Sequence, residues 1–443
     1  MERRKFLKGV AGSAVTAATL PAALEASHAL AAPEVRPAAR TTVTYWQFNT
    51  DTPSINAWKK AIAAFEAATP DVHVNMQIVP WNEQAQKLTT ALATGTAPDI
   101  SMMGNDVVAQ YAATGALAPL DSYFAAWSKG VGHDITTDIL PGDHLYYKIK
   151  GHWYASPLAE ETRLVYYRKS MLQKAGLNPM SALATWSSMR QAAMKLTKGG
   201  VYGWGVPMGV SYFTLQSFMP VYLSYGARYL TAQGNCGFDS PEFRAALTYY
   251  TNLYTKDKVT PPDSPVYDNA KLEPLYTASK LAMLIDGPWL LNQMQAAGDK
   301  AVVADTGIAQ VPAGPKGRFG FLGGFPLVMW TQGKNKDAAF KFIRYVTDPT
   351  KGMNTLCQGI GQLPGRKSLA DRAPWNQQPI NAFMKGLTVG YPYQYPAAEI
   401  PQMGALEPDK VQTAVQAVAT GRSTVAQATT AMVASINQVL KGS

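Results

Sequence analysis

The chain has little of what most enzyme chemistry needs. Its 443 residues include two cysteines, Cys236 and Cys357, and five histidines, His28, His73, His133, His144 and His152. No H-E-x-x-H or C-x-x-C spacing joins them, so the sequence implies no metal centre. There is no G-x-x-x-x-G-K-[ST] loop, and Gly203, Gly205 and Gly209 are not spaced as G-x-G-x-x-G, so a nucleotide would lack its phosphate cradle. A G-x-S-x-G elbow for an acyl-transfer serine is missing too, and no cofactor is expected. No internal apolar run approaches the roughly 20 residues of a membrane-spanning helix. The formal charge is +10, yet the basic residues stand singly or in pairs such as Lys59 and Lys60. They form no basic stripe of the kind a nucleic-acid groove requires, so nucleic acid is not expected as a partner.

What is present begins with an export signal over residues 1–31. Arg3 and Arg4 precede Phe6, Leu7 and Lys8, an Ala-rich apolar run follows from Val10 to Leu24, and Ala29, Leu30 and Ala31 form an A-x-A pattern. This resembles a twin-arginine signal. No L-x-x-C lipobox accompanies it, so membrane tethering would have to come from an uncleaved N-terminal segment. Residues 32–40, rich in Ala and Pro, read as a linker. In an exported chain the two cysteines permit one disulfide, and two separate buried thiols fit equally well.

Length alone predicts more than one domain. From Thr41 to Asp121 the pattern alternates strand and helix. Thr42 to Phe48 reads as a buried strand, followed by Ile55, Trp58, Ile62 and Phe65 at helical spacing. Val72, Val74, Met76 and Ile78 then alternate with His73, Asn75 and Gln77. A helix over 83–93 ends at Gly95, a strand runs from Ile100 to Met103, and a helix starts at Asp106. Three such units predict an α/β fold with a sheet covered by helices. Ligands in such folds bind beyond the carboxyl ends of the strands, here at Asn49 to Asp51 and at Asn105 and Asp106.

The stretch Gly151 to Leu177 organises the rest. It reads as a small-residue turn, an extended segment through Trp153 to Pro157, a polar link holding Glu160 and Glu161, a strand over Leu164 to Tyr167, and a helix from Lys169 to Gly176. Further blocks are SKLAMLIDGPWLLNQM at 279–294, GKNKDAAFKFIRYVTDPTKG at 333–352, and GQLPGRKS. Together these resemble the extracellular solute-binding proteins of sugar ABC importers, with maltose-binding and glycerol-3-phosphate-binding members as the nearest patterns. The resemblance implies a two-lobed periplasmic-binding-protein-like fold with discontinuous lobes joined by crossover segments. Residues 41–158 and 312–346 are expected in lobe I, and residues 163–311 and 350–443 in lobe II. It also implies a carbohydrate ligand, partnership with ABC permease transmembrane subunits, and a periplasmic or cell-envelope location on the outer face of the cytoplasmic membrane.

Carried over position by position, the resemblance makes Asp106 a sugar-binding aspartate, Glu161 a hinge glutamate, and Tyr212 and Trp289 stacking aromatics. Asn49 and Asp51 fall near a first-strand contact, and Gly323 and Gly324 match a loop whose main chain approaches the ligand. Each has a plainer alternative: an N-cap for Asp106, a core aromatic for Tyr212, a tight turn for the glycines. Met103 and Glu407 stand where the maltose-binding pattern has two further tryptophans, which disfavours maltose. Glu160, Glu161 and Gly404 replace the groups that hold a phosphate, and carboxylates repel a dianion. The expected cleft is therefore acidic, from Asp106, Glu161 and Glu407 with Glu160 and Asp51 nearby. Those groups either accept sugar hydroxyl protons or offset an amine on the ligand, as in an amino sugar. A secreted glycoside hydrolase or lyase using cleft carboxylates is the second expectation. Glu160 and Glu161 cannot form its acid pair together, because neighbours on an extended strand point to opposite faces.

Overall fold

The computed structural model describes residues 40–388 and 403–441, and of residues 82, 388 and 403–409 the backbone alone. The expected export signal and most of the linker lie outside the described residues. The strands, in chain order, are β1 (Thr41–Gln47), β2 (Val72–Ile78), β3 (Ile100–Met102), β4 (Lys148–Ile149), β5 (His152–Trp153), β6 (Ala155–Thr162), β7 (Leu164–Arg168), β8 (Met283–Asp286), β9 (Thr306–Ala309), β10 (Leu322–Met329) and β11 (Leu363–Pro364). Among the described residues they form a six-stranded sheet ordered β11-β6-β10-β3-β1-β2, a three-stranded sheet ordered β8-β7-β9, and the small hairpin β4-β5.

β1 runs parallel to β2 and β3, and parallel neighbours need a crossover helix between them. Helices Thr52–Ala68 and Gln84–Thr94 supply these. The first buries Trp58, Ile62 and Phe65 at helical spacing, placing Trp58 against Tyr45 at 4.9 Å between ring centroids. Phe65 meets Phe342 of helix Lys336–Thr347 at 5.1 Å. The second helix ends at Gly95 in the left-handed conformation, which glycine adopts without a Cβ penalty. β2 shows where alternation overstates burial. Val72 and Val74 are buried, but Ile78 is 41% exposed, because β2 is the outermost strand of its sheet.

Helix Asn269–Thr277 packs on β8 and helix Lys169–Lys174 on β7; helices Trp186–Leu196, Tyr212–Tyr225 and Pro241–Thr255 fall between β7 and β8 in the chain, the last two packed on each other. Trp186 and Trp204 stack at 6.1 Å with their planes 7° apart. The helix Tyr212–Tyr225 is buried over most of its length, from Thr214 to Ser224, as expected for a helix enclosed by its neighbours rather than amphipathic. Neither cysteine is in a disulfide and both are buried, so the separate thiols are what the fold contains.

The chain passes from the large sheet to the small one between β6 and β7, with Arg163 as the single residue between them. It returns between β9 and β10. The third passage comes later than the expected 346–349. Helix Met353–Ile360 packs on helix Thr52–Ala68, and β11 pairs with β6, so residues 353–364 stay with the large sheet. The proline turn after Thr347 redirects the chain without changing its side, because Leu363 and Pro364 still have an open strand edge to pair with.

In the antiparallel register of β6 with β10, Gly323 lies opposite Glu161 and Gly324 opposite Glu160. A Cβ on Gly324 would sit 2.1 Å from Glu160 Oε2 and 2.5 Å from the Tyr147 hydroxyl. Neither group has room to retreat, since Glu160 and Tyr147 are both fully buried. Gly324→Ala is expected to lower unfolding free energy by about 1–3 kcal/mol, the usual cost of overpacking. Denaturant titration of the variant against wild type measures this directly.

Candidate binding site

Strand parity separates the two adjacent glutamates. Glu160 turns toward Tyr147, whose hydroxyl donates to its Oε1 at 3.3 Å. Asp143, from helix Pro141–Tyr147, lies against it in the same enclosed space. Burial, then the adjacent Asp143 carboxylate, pushes Glu160 well above the usual carboxylate range, and burial does the same to Asp143. Arg366 is nearby and buried, its Nη1 donating to the Ile135 carbonyl at 2.8 Å.

Glu161 turns the other way and is 4% exposed. Its Oε1 accepts from Arg163 Nη2 at 3.0 Å. The same guanidinium nitrogen donates to Gln216 Oε1 of helix Tyr212–Tyr225. The guanidinium carbon sits 4.4 Å from the Trp289 ring centroid and 4.8 Å from that of Phe321, so the cation lies between two aromatic rings. Trp289 is half-buried. Its Nε1 donates to Glu273 Oε1 at 2.8 Å, and Phe213 meets it edge-on at 6.1 Å. Burial pushes Glu273 upward and holds Asp286 well above the carboxylate range.

Asp106 lies in the short turn Asn105–Val107 after β3. The Tyr212 hydroxyl, from the start of helix Tyr212–Tyr225, donates to Asp106 Oδ2 at 3.0 Å. Enclosure of the carboxyl raises Asp106 to about 6; the Tyr212 bond draws it back down and the Glu161 charge adds a smaller rise. Tyr212 in turn meets Phe321 edge-on at 6.3 Å, which closes a continuous set from Asp106 through Tyr212, Phe321 and Arg163 to Glu161 and Trp289.

The fold thus gathers Asp106, Glu161, Tyr212 and Trp289, with Gly323 opposite Glu161 in register. It places the other candidates differently. Glu160 and Gly324 share the opposite face of their strands. Asp51 is spent as an N-cap, its Oδ1 accepting from the Ser54 amide at 2.8 Å. Asn49 is tied to Gln47, which accepts from its amide at 2.8 Å and donates to its carbonyl at 2.6 Å. The Glu407 side chain lies outside the described residues, although its helix, Met403–Ala419, packs beside the Asn105–Val107 turn. Arg163 and Phe321 were not among the candidates. The available sequence signal was an arginine one residue past the polar link, exactly where two strands abut, and a solitary arginine reads first as a solvated charge.

Two sheet-centred lobes joined by strand crossings, with aromatic and charged side chains gathered where the strands cross, define a two-lobed α/β binding fold. The model of the bacterial extracellular solute-binding protein family matches residues 49–353, and the chain belongs to that family. A Brucella abortus chain named only as a binding protein is 31% identical over 287 residues, 64% of this chain and 66% of that one, just under two thirds of its length. The diacetylchitobiose-binding protein of Streptomyces coelicolor is 26% identical over 405 residues, 86% of each chain. A solute-binding protein of an ABC transporter from Thermotoga lettingae, solved with α-D-tagatose, superposes with a TM-score of 0.79 at 27% identity, covering 90% of this chain and 100% of that one.

The Glu160–Asp143 pair generates a stability prediction. Both carboxyls are raised in the folded chain, so above the ordinary carboxylate pKa of about 4 the folded state holds protons that the unfolded state has released. Stability through this pair therefore falls as pH rises, at up to about 1.4 kcal/mol per pH unit for one retained proton. Asp143→Asn removes one of the two acids, and its melting temperature is expected to gain on wild type progressively from pH 5 to pH 8. Melting temperatures of the two proteins that stay a constant distance apart across that range would rule out proton retention by the pair.

Proposed function

We propose that the chain is the extracytoplasmic substrate-binding component of a carbohydrate ABC transporter. In this role it holds a mono- or oligosaccharide between its lobes and delivers it to the permease subunits, at the periplasmic or cell-envelope side of the cytoplasmic membrane. One lobe would comprise residues 41–158 and 312–364, the other 163–311 and the C-terminal helices. The observation that carries this reading is the gathered set at the crossing: a carboxylate and a phenol from opposite lobes at Asp106 and Tyr212, a half-buried indole at Trp289, and the Glu161–Arg163 pair. Sugars offer hydroxyls at ring edges and weakly apolar C–H faces, and sites for them combine such groups. A hydrogen bond to a charged group contributes about 1.5–3 kcal/mol, so a few with one stacked ring reach the roughly −8 kcal/mol of micromolar binding. The carbohydrate ligands in the names of the Streptomyces and Thermotoga proteins support the same ligand class.

No reacting group is required. A glycoside hydrolase needs two carboxyls facing across the bond, whereas here Glu160 and Glu161 lie on opposite faces and Glu161 is engaged by Arg163. The charge balance also bears on an amino sugar. Glu161 has its counter-charge within the chain, Glu160 lies with Asp143 and Tyr147, and Asp106 is held by a neutral hydroxyl. An uncharged saccharide or polyol therefore fits better than an amine.

A thermal-shift screen of neutral sugars, polyols and amino sugars tests this, since a ligand at 100 times its Kd stabilises the folded state by about 2.7 kcal/mol. Neutral saccharides are expected to raise the melting temperature and to be recovered uncleaved. A response confined to amino sugars would overturn the uncharged ligand, and no response across the panel would overturn the carbohydrate. By calorimetry, Asp106→Asn is expected to weaken binding about 10- to 100-fold. Wild-type affinity should fall as pH drops below about 6, where Asp106 takes up a proton and loses its charged-acceptor strength.

A further inference from the structure

Arg163 is the one residue between β6 and β7, is 1% exposed, and touches Glu161, Gln216, Trp289 and Phe321. Its Nη2 reaches Glu161 on the outgoing strand and Gln216 on helix Tyr212–Tyr225. Its guanidinium carbon lies over the rings of Phe321, just before β10 on the return strand, and of Trp289 in the helix after β8. Among the described residues its Nε and Nη1 are buried without a hydrogen-bond partner. A buried guanidinium incurs a large desolvation cost unless it is paired and bonded, so filling space is a poor account of it; leucine would do that at lower cost.

We propose that Arg163 is the positioning residue of the binding site: it holds the Glu161 carboxylate in place as an acceptor and the Trp289 ring as a fixed flat face. The proposal deepens the carbohydrate-binding reading and rests on it for the ligand. Glu161 is the group to watch. Among the described residues the charged groups around it and Arg163 are Asp106 from the turn after β3, with Tyr212 bonded to it, Glu160 beside it in β6, Glu273 against Trp289, and Asp286 at the end of β8. All four are acids, so Arg163 is the cation that this acidic neighbourhood requires.

Replacement by methionine keeps the side-chain stem and leaves Glu161 buried without a counter-charge, a state that favours its protonated form. In Arg163→Met the folded chain then holds a proton that the unfolded chain releases. Its melting temperature is expected to fall relative to wild type as pH rises from 5 to 8, and adding Glu161→Gln should abolish that extra dependence. Saccharide affinity of Arg163→Met at pH 7.5 is expected to drop about 100-fold. Arg163→Lys keeps the charge but not the planar fork, so it should retain the wild-type pH profile while losing about tenfold in affinity.

A merely structural arginine would not produce a pH dependence that Glu161→Gln removes. An Arg163→Met melting curve parallel to wild type across the pH range overturns the proposal, as does wild-type affinity in that variant. Should Arg163→Met not fold, Arg163→Lys carries the test, and full wild-type affinity there overturns the positioning role. The pH pattern is read without ligand. If it appears and no saccharide binds, the ligand class is wrong and Arg163's role stands; if saccharide binds and the pattern is missing, the reverse holds.

Discussion

A strand that leaves one sheet and enters another with a single residue between them leaves no slack. Pairing on both sides fixes β6 and β7, and with them the direction of every side chain from Ala155 to Arg168. Because successive side chains alternate in a strand, Glu160 must face one way and Glu161 the other. The return strand conforms to this arrangement: β10 places glycines opposite both acids, where a side chain would collide with Glu160 Oε2 or Glu161 Oε1. Arg163, at the point where the two ladders meet, then reaches Glu161 on the outgoing strand, Phe321 at the start of the return strand, and Gln216 and Trp289 on two helices.

The electrostatics follow from that geometry. Carboxylates near one another in a low-dielectric region cannot all remain charged, and the fold handles each differently. Glu160 shares its enclosed space with Asp143 and is pushed toward the neutral form. Glu161 keeps a cation against it at 3.0 Å. Asp106 is raised to about 6 and held by a phenol. Asp51 remains exposed and caps a helix. The acid-rich composition of the segment therefore overstates the negative charge at the site. Which carboxylates remain charged depends on which face each occupies.

Much of the fold was legible because burial imposes periodicity. The helix carrying Trp58, Ile62 and Phe65 and the strand carrying Val72 and Val74 are placed by their spacing, and Gly95 marks a helix end that only a residue tolerating positive φ fills easily. The gathered candidates Asp106, Glu161, Tyr212 and Trp289 came from motif resemblance rather than from periodicity. What the sequence could not show was pairwise and long-range. The Arg163–Trp289 contact joins residues far apart in the chain, and nothing local marks that arginine as buried. The third passage was misplaced for the same reason: Asp348 and Pro349 do signal a turn, but whether the chain then changes sheets depends on whether β6 has a free edge for Leu363 and Pro364.

The same constraint bears on how the lobes would move. Contacts close to a hinge change little when domains rotate, and those farther from it change most. Glu161, Arg163 and Gly323 lie at the strand crossing, so in the proposed function their mutual geometry would belong to the hinge and persist through rotation. The Tyr212–Asp106 bond joins helix Tyr212–Tyr225 to the turn after β3, so in that role it would form and break with the relative position of the lobes. A ligand shifts such an equilibrium only through contacts it makes better in one state than in the other. In the proposed function, Glu161 supplies affinity in either state, while Asp106 and Tyr212, which require both lobes, supply the differential contact that favours closure.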